Sequence, residues 1–310
     1  MQIVPEGTLG YGVQLPVQAQ STLFLADWEK RAGPDEIIAV ATAADESGFL
    51  WVAACEHIGV PEHRAVSMST FWSDPVAVLS MVAGVTTRVR LMTYVYLLAL
   101  RHPLMAAKSL STLDYLSKGR LIVGVGAGHV EEEFDALGVD FATRGTALTR
   151  SIEALKAAFA SEYPTLPEPF DAHGCGLQPR PVQHPRPPIF VAGSTEPAMR
   201  RAARHADGWL PQSPATAAMI DLVTTERQKT RPGEPMTLGH IAGQVYVGTP
   251  SWDVGPGVSS GRPEEIAERL LQSTPEGANM IHVMFKGRSC EEFADQVRAF
   301  GSLVGPLLKR

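Results

Sequence analysis

Short apolar runs of strand length alternate with stretches of helical period from one end of the chain to the other. This is the pattern of a parallel sheet whose strands are joined by crossover helices. Eight runs qualify as strands: Leu9 to Leu15, Leu50 to Ala54, Val89 to Val95, Leu121 to Val125, Ile189 to Ala192, Gly208 to Pro211, Gly243 to Val247 and Met280 to Phe285. Helices between them open on Pro34-Asp35-Glu36, Ser73-Asp74-Pro75, Pro103, Pro197 and Arg262-Pro263-Glu264-Glu265. Proline fits a first helical turn, where its missing N–H costs nothing, and small polar or acidic groups satisfy the free N–H groups beside it. Apolar faces follow at helical spacing, as in Ile37, Val40, Ala41 and Ala44, and in Ile152, Leu155 and Phe159. Eight such units predict an α/β fold of the (β/α)8 TIM barrel type with insertions in its loops.

Three segments break the alternation: residues 16–33, 161–188 and 249–261. They account for the ~60 residues by which the 310-residue chain exceeds the ~250 of a bare barrel, so one elaborated domain over 1–310 is expected. The first and third extend βα loops, which build the mouth of a barrel, and each carries a tryptophan (Trp28, Trp252) that reads as a lid or substrate wall. The middle segment follows a helix and reads equally as wall or surface excursion.

A 45% hydrophobic, 19% charged composition excludes disorder and disulfide-scaffold classes. The net charge of −6, with no like-charge run longer than Glu131, Glu132 and Glu133, argues against nucleic-acid or membrane-surface binding. Cys55, Cys175 and Cys290 lie far apart without a CxxC pair, which suits a reducing compartment. No run of ~18 apolar residues and no leader-like start is visible, so a cytoplasmic, soluble protein is expected. Without HxxxH, HExxH or carboxylates at ligand spacing, no metal site is expected, and the absence of GxSxG weakens hydrolase readings.

Chemistry concentrates at predicted strand ends. Gly124-Val125-Gly126-Ala127-Gly128-His129 follows the fourth strand. It fails the GxGxxG spacing in both registers, yet its glycines let a flat or phosphorylated ligand approach the backbone, a turn being the plain alternative. Gly193-Ser194-Thr195-Glu196-Pro197 runs from the fifth strand into a helix. Its free N–H groups and two hydroxyls make a phosphate cradle, where simple capping would need only one hydroxyl. Glu56-His57 ends the second strand and offers an acid, a base or a ring-nitrogen donor at the barrel mouth. His129 is a second candidate, and His102 reads as pocket wall or helix entry.

Together these pieces resemble the luciferase-like monooxygenase superfamily, in its branch of deazaflavin (coenzyme F420) dependent oxidoreductases. The resemblance rests on GYGVQLP (10–16), GFLWVAACEH (48–57), residues 86–145 around RHPLMAAKSLSTLDYLSKGRLIVGVGAGHVEEEF, and PRPPIFVAGSTEPAMRRAARHADGWLP (185–211). It implies that His57 stands at the ring with Glu56 in place of the usual aspartate. It further implies that Tyr94-Val95, after Thr93, forms a bulge with a non-prolyl cis peptide behind the ring. Gly126, Ala127, Gly128 and His129 would line the ring, and Gly193, Ser194 and Thr195 would hold the phosphate. Pro61 and His129 replace the Trp and Glu of sugar-phosphate-oxidising relatives, which argues against that substrate.

The function so implied is hydride transfer between coenzyme F420 and an organic small molecule, with His57 and His129 as proton-handling residues in a homodimeric enzyme. The alternatives are an FMN-dependent two-component monooxygenase of the same fold, served by a flavin reductase, and a non-catalytic flavin-binding relative.

Overall fold

Strands buried on both faces explain why the apolar runs are nearly continuous rather than alternating. The computed structural model describes residues 3–19, 21 and 25–309. Within them lie β1 (Gly10–Gln14), β2 (Trp51–Ala54), β3 (Arg90–Thr93), β4 (Leu121–Val125), β5 (Ile189–Ala192), β6 (Gly208–Leu210), β7 (Thr237–Val247), β8 (Ser259–Gly261) and β9 (Met280–Phe285). All pairings between named strands are parallel. β1 to β6 follow one another, β6 pairs with β7, β7 with β9, and β9 returns to β1. The result is a closed eight-stranded (β/α)8 barrel, with β8 appended to β7 outside the ring.

The helices are α1 (Pro34–Glu46), α2 (Ala65–Met68), α3 (Pro75–Val85), α4 (Pro103–Leu116), α5 (Glu131–Ala136), α6 (Arg144–Ala160), α7 (Glu196–His205), α8 (Ala217–Thr230), α9 (Pro263–Ser273) and α10 (Cys290–Ala299). Their starts follow the sequence signals. Glu36 accepts from the N–H of Gly33 at 2.7 Å ahead of α1, and Asp74 caps α3 by accepting from Ala77 N–H at 2.9 Å. The core has two layers. Trp51, Ala53, Met92, Ile122, Phe190, Leu210 and Met280 fill the barrel, while the intervening strand residues, such as Val52, Leu91, Val123 and Ile189, pack outward under the helices.

The structure corrects three sequence boundaries. β7 begins at Thr237 rather than Gly243, because Gly239 and His240 interrupt the apolar run that marks a buried strand. Thr237 and Leu238 pair with β6 and Gly239 to Ile241 with β9, and so close the barrel. Residues 259–261 of the third insertion form β8. Segment 161–188 climbs to the rim and returns along the outer face of α4. The Phe170 ring lies 5.6 Å from that of His102 at the top of this helix, Lys108 donates to the Gln178 carbonyl midway, and Asp114 near its base accepts from Val182 and Gln183 N–H at 2.7 and 3.1 Å. It is therefore a brace on α4.

Among the described residues, no helix is long and apolar enough to cross a membrane, and no group of three or more His, Cys, Asp or Glu side chains could hold a metal ion.

Candidate active site

At the carboxyl end of the barrel, strand alternation turns Gln14, Cys55, Tyr94 and His282 toward the mouth, above the fully buried Trp51 and Met92. His57 lies one further alternation along the β2 exit. Its Nδ1 is 3.1 Å from Oε2 of Glu133 in α5, and both side chains are nearly sealed from solvent, at 9% and 0%. The other carboxylate oxygen accepts from Ile58 and Gly59 N–H at 2.5 and 3.2 Å. Burial disfavours the charge on Glu133, but the hydrogen bond and charge of His57 and the two backbone donors outweigh it and hold the carboxyl below its ordinary value. One carboxylate thus fixes both the His57 ring and the loop after it, leaving Nε2 as the ring nitrogen not engaged by Glu133.

The indole of Trp72 and the imidazole of His129 meet the His57 ring edge to face, at 4.5 and 5.2 Å between centroids. The two histidines singled out by sequence are therefore neighbours. His129 is exposed at the rim, and its pKa is lowered first by desolvation and then by the proximity of His57.

Glu56, expected beside the His57 ring, turns the other way. It is 5% exposed, takes a forked ion pair from Arg101 at 2.6 and 2.8 Å and accepts from Leu97 N–H at 2.5 Å. Arg101 in turn lies 4.1 Å over the Tyr96 ring. Glu56 thus positions the strand exit through residues 97–101. Thr93, expected at the ring, is fully buried and exchanges hydrogen bonds of 2.8 and 3.0 Å with the backbone of Gly124. Its side chain bonds β3 to β4 and does not reach the mouth.

The Tyr94–Val95 peptide is cis, as the resemblance implied. Tyr94 Oη donates to the Pro211 carbonyl at 2.5 Å, and burial pushes the phenol well above its ordinary pKa. Val95 is half-buried beside the glycine run. A Cβ on Gly126 would stand 2.7 Å from Val95 Cγ2, so glycine keeps this wall thin. Gly128 follows with a φ of 83° and Ala127 packs against the core.

Across the mouth, Gly193 adopts a φ of 134°, and a Cβ there would meet Ala198 at 2.6 Å. The turn brings Thr195 to the N-cap of α7, where its side chain makes no capping bond. Simple capping by Thr195 is thereby excluded. Ser194 Oγ accepts from Gln212 N–H at 3.0 Å and lies 3.3 Å from Ser213 Oγ, joining this loop to the β6 exit. Pro197 brings no N–H to this turn, so the backbone N–H groups of Glu196 and Ala198, with the Thr195 hydroxyl that makes no capping bond, are the donors that fit a phosphate.

Several contributors carry no local sequence signal. Gln18 enters from the first insertion, where it accepts from Cys55 N–H and donates to Cys55 Sγ, both at 3.2 Å, while Gln14 donates to the same sulfur at 3.0 Å. Burial pushes this thiol up to about 11, so it stays protonated. Glu29 pins the insertion by accepting from Val17 and Ala26 N–H at 2.8 and 3.0 Å, and Gln18 accepts from Ser73 N–H at 2.9 Å. The described part of segment 16–33 is therefore a built wall over the mouth; residues 20 and 22–24 lie outside the described residues. The two tryptophans do not face the site. Trp28 packs on Phe293, and Trp252 donates to Glu292 at 2.9 Å. His282 sits between Trp51 and Tyr94, 5.6 and 5.8 Å from their rings, and its Nε2 accepts from Gln14 N–H at 3.4 Å. Its in-phase position with Met280 on a barrel strand was the available signal. His102 is a helix entry, with Nδ1 accepting from Leu104 N–H at 3.2 Å.

The family model described as luciferase-like monooxygenase matches residues 13–252. An uncharacterized protein of Mycobacterium tuberculosis is 34% identical over 185 residues, which is 56% of this chain and 66% of the relative. The chain thus spans just under two thirds of that curated relative's length. Among solved structures, a monooxygenase from Streptomyces bottropensis superposes with a TM-score of 0.76 at 21% identity, covering 96% of this chain and 99% of the other. The coenzyme F420 dependent tetrahydromethanopterin reductase of Methanopyrus kandleri gives 0.71 at 15% identity, covering 97% and 100%.

Proposed function

Because the chain belongs to the luciferase-like monooxygenase family, we propose that it is an oxidoreductase using coenzyme F420 to move a hydride to or from an organic small molecule. The observation that carries this reading is the clamped His57–Glu133 pair at a barrel mouth whose opposite rim is an uncapped helix start at Thr195. The residues fit a flat ring with a phosphate tail. The thin wall at Gly126 accommodates a ring approaching the backbone, and the Gly193–Thr195 loop with the first N–H groups of α7 would hold the phosphate.

A bound deazaflavin supplies hydride chemistry at its ring carbon C5. The chain supplies orientation, exclusion of water and proton handling. Glu133, ionised, orients His57 through Nδ1, so that Nε2 holds or receives the proton that accompanies hydride transfer. His129, whose exposed ring lies 5.2 Å from that of His57, would pass the proton on to solvent. The wall made by Gln18 and Trp72 shields the pair from bulk water.

The description of the family favours a second reading, a reduced-flavin monooxygenase in which the same residues hold FMN. Anaerobic assay with reduced deazaflavin against enones, imines and ketones separates the two. The F420 reading expects turnover without oxygen. It also expects His57→Ala to lower that turnover by roughly 10²-fold or more while cofactor binding persists. Full turnover by His57→Ala overturns the assignment, and activity only with FMNH2 and oxygen selects the second reading.

A further inference from the structure

A cavity of about 520 Å³ opens at Glu196 and Pro197, in the first turn of α7, and runs between α6 and α7 past Thr149, Arg201 and Arg204 to His205. It therefore begins where the Gly193–Thr195 loop ends. Three arginines line it, and they are unequally neutralised. Arg200 bonds Glu196 and Glu226 at 2.9 and 2.5 Å. Arg204 reaches Glu226 through Nε alone, at 2.6 Å, and is half exposed. Arg201 has no carboxylate partner among the described residues. Its Nε donates to Thr149 Oγ1 at 2.9 Å, and burial, with no acid opposing it, lowers its pKa. His205 faces Glu153 at 2.9 Å, and that carboxylate also binds Lys156. Of the three guanidinium groups, only those of Arg200 and Arg204 meet the carboxylates Glu196 and Glu226. The Nη groups of Arg201 and Arg204 are left without protein acceptors among the described residues, on a chain whose net charge is −6.

Half-buried guanidinium donors without acceptors along a groove select an oxyanion, and a file of them selects a chain of oxyanions. We propose that this groove binds the carboxylates of an oligo-glutamyl tail that continues from a phosphate held at Gly193–Thr195, with Arg201 as its principal donor. The inference rests on the F420 reading. FMN ends at its phosphate and leaves the groove empty, whereas the deazaflavin continues through a phosphodiester into glutamates. The groove thereby discriminates between cofactors that the barrel mouth itself would hold alike.

The test is a fluorescence titration of the intact protein with deazaflavin bearing several glutamates, deazaflavin lacking the glutamyl tail, and FMN. The tailed form should bind about tenfold more tightly than the tailless one, a margin set by one charge-assisted contact and reduced by added salt. Arg201→Gln should erase that margin, Arg201→Lys should restore part of it, and neither should change tailless or FMN binding. Equal binding of tailed and tailless deazaflavin by the native protein overturns the groove and leaves the cofactor reading intact. So does an Arg201→Gln protein that keeps the margin. Binding of FMN with neither deazaflavin overturns both.

Discussion

A carboxylate that accepts from an imidazole and from two backbone N–H groups holds a loop and a ring in one geometry, which is what Glu133 does for His57, Ile58 and Gly59. Nothing local marks it, because Glu131, Glu132 and Glu133 look alike in a run. Only the helical turn that buries Glu133 beside Phe134 separates it from the exposed Glu131 and the half-buried Glu132. His57 was legible because a strand end places it. Glu56 was expected beside the His57 ring, but alternation turns it to the opposite side, where Arg101 answers it. Breaking so buried a pair would cost about 3–5 kcal/mol, and the pair is accordingly structural. His282 is the other side chain the sequence hid. Burial pulls its imidazole down to about 4 from an ordinary value of 6.5, so the folded protein keeps it neutral. Between pH 6.5 and about 4 the unfolded chain takes up a proton that the folded chain refuses, so stability is complete above this window and falls as the pH drops through it. His282→Gln should flatten this acid limb in urea unfolding followed from pH 7 to 4, and an unchanged slope would refute the neutral assignment.

Elements were easier to read than residues. All eight barrel strands were visible because both faces of each are buried, one on the interior cluster around Trp51 and one under the helices. The initial half of β7 escaped because its glycine and histidine belong to a bulged strand that bends to close the ring. β8 escaped because Ser259–Gly261 is too short and polar to show a period. Loop tryptophans misled for a related reason: an indole in a polar loop marks an anchor as readily as a lid. Trp252 Nε1 and Tyr246 Oη both donate to one oxygen of Glu292, at 2.9 and 3.0 Å, and Arg288 N–H donates to the other at 2.7 Å. Despite its partial burial, the Arg288 guanidinium, which donates to it at 3.0 Å, together with these donors pulls the Glu292 carboxyl down to about 2. The third insertion is thereby fastened to the start of α10. Glu292→Ala should speed proteolytic cutting within residues 249–258 and cost about 1–3 kcal/mol of stability. Cutting at the native rate would show that the loop is held elsewhere.

For the whole molecule, length proved informative in a way that composition did not. The described part of segment 16–33 and segment 249–261 sit at the barrel mouth, as βα loops must, whereas 161–188 lies against α4 on the outside. A net charge of −6 offers no attraction to an acidic cofactor. The donors proposed for it are local, at the start of α7 and along the groove below it. The mouth between His57 and Thr195 is proposed as a site for a flavin-like ring with its phosphate on the Gly193–Thr195 loop. Diffraction from crystals soaked separately with coenzyme F420 and with FMN tests this directly. Density is expected for a tricyclic ring beside Val95 and Gly126, within reach of His57 Nε2, and for a phosphate on the N–H groups that open α7. A ring bound elsewhere, or a phosphate held away from Ser194 and Thr195, would contradict it.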